Sequence, residues 1–125
     1  MSIPYSYFLK DSADEKGNGK EVKGIISYAN NELLFEFKVY NLQGSSTSNL
    51  NKFSIDIDQL KEVNFKKGFF RNNLIIEANK KAFLDPLPGS NQGRIKLIIE
   101  RAYKNEMSDF SERLNLIMEK GKVGE

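Results

Sequence analysis

Residues 94–120 change rhythm within one run. Ile95, Leu97 and Ile99 alternate at a period of two, and then Tyr103, Met107, Phe110, Leu114 and Ile117 recur at steps of three and four. The first spacing lines one face of a strand; the second draws a single apolar stripe along a helix. Upstream of residue 94 the period of two prevails, in short runs divided by turn residues. Short strands closed by one amphipathic helix predict a mostly β fold. The expected form is a curled antiparallel sheet or barrel of about seven strands, capped by the C-terminal helix.

The runs can be taken in order. Residues 2–9 alternate small and aromatic side chains around Pro4 and read as an edge strand or an arm laid over the sheet. Residues 11–20 are polar, with Asn18-Gly19 as a turn, and read as an exposed loop whose functional alternative is a charged recognition loop. Residues 21–29, with Val22, Ile26 and Tyr28 on one face, and 32–40, with Leu33, Phe35, Phe37 and Val39 on one face, form a hairpin about Asn30-Asn31. A Gly/Ser-rich loop over 41–51 precedes strands through Phe53, Ile55 and Ile57, through Val63 and Phe65, and through Leu74, Ile76 and Ala78. A brief sixth strand is expected over 82–84 after a hairpin at Asn79-Lys80, and a seventh through Ile95, Leu97 and Ile99. The helix is expected to start at Asn105 or Ser108 and stop at Gly121, with Asp109 and Arg113 paired on its surface. This divides the chain into an arm and polar loop (1–20), a domain (21–121) and a tail (122–125).

A length of 125 residues fits one domain. The net charge of +2 does not by itself call for a nucleic-acid or membrane partner, though a local patch can hide within it. Neither cysteine nor histidine is present, which removes disulfides, thiolate zinc sites and the usual nucleophile–base pairs. No apolar run nears the ~20 residues of a membrane span, and the first ten residues lack the basic start and apolar stretch of a signal peptide. A cytoplasmic place is the default expectation, with a peripheral membrane place as the alternative.

Chemistry is poorly supplied. Ser45, Ser46 and Ser48 lack a base, while Glu32 with Glu36 and Asp56 with Asp58 share strand faces where solvent-facing charges normally lie. Asp56-x-Asp58 lacks the glycine and later glutamate of a calcium loop. No catalytic residue, metal ligand or cofactor is therefore assigned, and the chain is read as not an enzyme. The candidate interaction patch is Lys66, Lys67, Phe69, Phe70 and Arg71, following Phe65. Cations interleaved with aromatics can stack bases and hold phosphates, or set phenylalanines into a membrane interface. The simpler reading packs Phe65 and one of Phe69 and Phe70 in the core, with the lysines flanking a hairpin tip.

The run Ile57-Asp58-Gln59-Leu60-Lys61-Glu62-Val63, then Asn73-Leu74-Ile75-Ile76, Leu87-Pro88-Gly89, and Ile95-Lys96-Leu97-Ile98-Ile99 leading into the helix resembles bacterial pleckstrin-homology-like and GRAM-like domains. The resemblance covers roughly the last hundred residues, a one-domain span. It implies a helix capping a barrel-like pair of sheets and a binding role without catalysis. Phosphoinositide recognition is not carried over, because the first hairpin loop is expected to be only Asn30-Asn31 and no tryptophan is present. Expected partners are a protein or further copies of the chain, through an edge strand and the loops near the helix. Membrane docking through the Lys66–Arg71 patch ranks second and nucleic-acid binding through it third; the cold-shock reading of Lys67-Gly68-Phe69 is disfavoured by net charge and by the C-terminal helix.

Overall fold

A computed structural model describes residues 2–9, 19–41, 43–46 and 48–123, with side chains placed up to 121. Seven antiparallel strands form one sheet that does not close: β1 (Ser2–Leu9), β2 (Lys20–Ala29), β3 (Glu32–Asn41), β4 (Asn51–Asp56), β5 (Leu60–Lys67), β6 (Asn72–Ala78) and β7 (Arg94–Ile99). Their order is β4-β3-β2-β1-β7-β6-β5, and one helix, α1 (Lys104–Val123), ends the chain. Inward side chains of all seven strands and of the helix join one apolar cluster, so the sheet must curl round it.

The strand count matches the expectation by exchange. Residues 2–9 are neither edge nor arm but the middle strand of the sheet, with Ile3, Tyr5 and Tyr7 buried. The domain therefore includes the segment set apart as an N-terminal arm. Pro4 lies opposite Ile25 on β2, while β1 pairs with β7 at Ser6 and Ile98 and no β7 residue pairs with Pro4. On the β7 side the missing N–H of Pro4 interrupts no ladder. In compensation residues 82–84, expected as a strand, lie in a 3-10 turn (Lys81–Leu84), and Asn79-Lys80 leads into that turn rather than making a tight hairpin. The first hairpin is thus β1–β2, with a connection over residues 10–19, and not the Asn30-Asn31 pair. Most of the polar loop over 11–20 lies outside the described residues.

Other expectations hold locally. Asn30 and Asn31 take φ of 53° and 64° and make the two-residue β2–β3 turn. Ile57 points into the core but sits in a 3-10 turn (Ile57–Gln59), where the Gln59 side chain accepts from the Asp56 N–H at 3.2 Å.

The helix starts earlier than expected. A 3-10 turn (Arg101–Tyr103) feeds it directly, so Asn105 and Ser108 lie inside it, and it runs through Gly121. Met107, Phe110 and Leu114 are buried, with Tyr103 and Ile117 half-buried beside them. It runs antiparallel to edge strand β5 and packs against it: Asn115 Nδ2 donates to the Val63 carbonyl at 2.9 Å. Ion pairs among the described residues are Lys23–Glu21 and Lys61–Glu77; Asp109 and Arg113 do not form one.

Candidate functional site

Strand β5 ends at Lys67, directly opposite Asn72 at the start of β6, and residues 68–71 make the reversal between them. Gly68 is needed there: a Cβ on it would collide with the Arg71 carbonyl oxygen. With the chain turned so tightly, Phe69 and Phe70 leave both faces of the sheet. They are 84% and 90% exposed, their rings edge to face with centroids 4.8 Å apart. The expectation that one of them packs in the core is overturned, because the reversal begins before either ring can reach the inner face. Phe65 alone packs there, half-buried against the apolar cluster.

The tip is anchored and charged. Arg101, in the turn between β7 and α1, donates from Nη2 to the Phe69 carbonyl at 3.4 Å. Lys66, Lys67 and Arg71 are exposed on the hairpin, and Arg101 and Lys104 are exposed beside it. A recess of about 350 Å³ lies behind the tip, with Gly68–Asn72 on one side and Ile98–Arg101 and Lys104 on the other. Glu100 is the carboxylate in its lining, against three cations. Asn72 belongs to the same wall; it is only 5% exposed, and its Oδ1 has no hydrogen-bond partner.

Sequence reading found the hairpin half of this site and missed Asn72, Glu100, Arg101 and Lys104. Their approach depends on the pairing of Asn72 with Ile99 across β6 and β7, a contact between segments some thirty residues apart, for which no local periodicity exists.

The other candidates have local structural roles or stay apart. Ser48 Oγ accepts the Val39 N–H at 2.9 Å and Ser46 Oγ donates to the Ser48 carbonyl at 2.7 Å, which orders the β3–β4 loop. Glu32 lies opposite Asp56 across β3 and β4, whereas Asp58 has left the strand for the 3-10 turn, so Asp56 and Asp58 do not share a strand face. Among the described residues no group of three or more carboxylates is placed to hold a metal ion. No helix among them is long and apolar enough to cross a membrane.

Comparisons with family models, with curated proteins and with solved structures find no match to this chain.

Proposed function

We propose that the chain is a non-enzymatic, pleckstrin-homology-like binding module that docks on an anionic membrane surface through the β5–β6 tip, from the cytoplasmic side. The supporting observation is the near-complete exposure of Phe69 and Phe70 at a braced turn ringed by Lys66, Lys67, Arg71, Arg101 and Lys104. Exposed paired aromatics raise free energy in water and lower it when buried elsewhere, by about 1.5–3 kcal/mol per ring. Each cation held near an anionic leaflet adds about 1 kcal/mol. The ranking expected from sequence put a protein partner first, on the resemblance and the open sheet edge, and read the patch most simply with one of these rings in the core. Their exposure moves the membrane reading ahead.

Co-sedimentation tests it. The chain is expected to pellet with vesicles containing anionic lipid and not with neutral ones, and to detach as salt rises. Indifference to vesicle charge, or full binding by a variant carrying Phe69→Ser and Phe70→Ser, would sink the proposal.

A second reading has its own observation. Strand β4 is the sheet edge opposite β5, and α1 packs along β5 rather than along β4. Its free backbone groups fit strand addition by a peptide or a second copy. A solution mass of one chain at all concentrations, with no cross-linking through Lys52, would remove self-association.

A further inference from the structure

We propose that edge strand β4 pairs antiparallel with β4 of a second copy of the chain, about a two-fold axis at Ser54. This rests on the strand-addition reading of that edge and gives it an occupant and a register.

The direction of the backbone groups carries the first step. Ala29 and Glu32 close the two-residue β2–β3 turn, and the closing pair of such a turn exchanges both hydrogen bonds, so Glu32 faces β2. Alternation along β3 then turns the N–H and C=O of Leu33, Phe35 and Phe37 to β4, where they meet Ile55, Phe53 and Asn51. Lys52, Ser54 and Asp56 therefore aim their backbone groups away from β3, along the open edge of the sheet. All three are exposed. Among the described residues no backbone bond outside the ladders engages Lys52 or Ser54, while the Asp56 N–H is held by the Gln59 side chain.

Charge then selects the register. An antiparallel partner must set outward-facing residues opposite outward-facing ones, which for two copies of β4 puts the axis at Lys52, Phe53, Ser54, Ile55 or Asp56. An axis at Lys52 or at Asp56 brings like charges face to face. Only the axis at Ser54 sets each Lys52 opposite Asp56 of the other copy, twice by symmetry. The same register lays Phe53, half-buried against Phe35 with ring centroids 5.7 Å apart, opposite Ile55 on the inner face. Ser54 exchanges both backbone bonds with its own copy, and each Lys52 N–H meets the Asp56 carbonyl. A lysine on an edge strand ordinarily guards against strand addition. Here the aspartate four residues on makes one register the exception.

The chain holds no cysteine, so single cysteines report the register. With the axis at Ser54, the Cα atoms of its two copies lie about 5.5 Å apart, within disulfide reach, and those of Lys52 about 14 Å apart. Under mild oxidation Ser54→Cys is expected to form a covalent dimer and Lys52→Cys to stay a single chain. In sedimentation equilibrium Lys52→Glu should weaken the dimer about ten-fold, as two charge pairs turn repulsive, and adding Asp56→Lys should restore it. A dimer linked through Lys52→Cys, or through neither cysteine, would overturn the register and leave self-association standing. So would a double variant as weak as Lys52→Glu alone. A mass of one chain at every concentration, with neither cysteine linking, would overturn the second copy as occupant and leave peptide addition as the reading of this edge.

Discussion

Tyr5 lies directly opposite Gly24 across the β1–β2 pair, and its hydroxyl sits 2.9 Å from where a Cβ on Gly24 would be. The same Cβ would run into the Glu36 carbonyl oxygen on β3. The middle of the sheet is therefore packed tightly around a missing side chain. Gly24→Ala is expected to destabilise the fold by about 1–3 kcal/mol, as overpacking does, and a urea midpoint equal to the parent's would contradict this packing.

Alkaline pH should act through the same strand. Burial pushes the hydroxyl pKa of Tyr5 well above its ordinary value, with Tyr7 adding to the shift, and burial does the same at Tyr7. The unfolded chain releases these protons from about pH 10, while the folded one retains them, so stability falls as pH rises past that point. Below it the contribution is fully present. The Tyr5 hydroxyl is buried without a partner, whereas the Tyr7 hydroxyl donates to the Pro88 carbonyl at 2.6 Å. Tyr5→Phe should therefore flatten the alkaline loss at no cost near pH 7. Tyr7→Phe should flatten it too, but lose about 1 kcal/mol at neutral pH. Unfolding by urea at pH 7 and pH 11 checks both, and parallel losses in all three chains would refute the assignment.

How much of this was legible follows from where the information lies. Alternation of small and aromatic residues over 2–9 fitted a strand, but the proline in the run kept the reading at an edge strand or an arm. Only the pairing pattern, in which β1 pairs with β7 at Ser6 and Ile98 and no β7 residue pairs with Pro4, shows that a strand carrying a proline occupies the middle. Residues 82–84 were too few to reveal a period, and a three-residue apolar run fits a 3-10 turn as well as a strand. The helix stripe was legible because five positions repeat it. Its ends were not, since the 3-10 turn after Glu100 nucleates it before any cap residue, and Gly121 keeps helical geometry. At the candidate site, the composition of Lys66–Arg71 was plain in the sequence. The exposure of both rings was not, because it depends on where Gly68 begins the reversal.

The helix should behave as a structural member rather than an accessory. Phe110 is buried in the shared cluster, and Phe110→Ala is expected to cost about 3–5 kcal/mol. Asn115 fixes the helix laterally by donating to the Val63 carbonyl on β5 and, at 2.9 Å, to the Ser111 carbonyl of its own preceding turn. Asn115→Ala should cost about 1 kcal/mol by losing the cross-element bond. Phe110→Ala with an unchanged urea midpoint would mean that the helix does not close the core.

The tip should separate stability from binding. Phe69 and Phe70 touch each other and little else, so replacing both with serine is expected to move the urea midpoint by no more than about 0.5 kcal/mol equivalent. Vesicle binding should fall at every salt concentration, because the apolar contribution is not screened. Neutralising Lys67, Arg71 and Lys104 with glutamine should act differently: binding should weaken mainly at low salt, and its salt dependence should flatten. The two sets of variants thus predict distinct curves of bound fraction against salt, one lowered and one flattened. A serine variant that shows a flattened curve, or a glutamine variant that shows a uniformly lowered one, would mean that the rings and the cations do not meet the surface together.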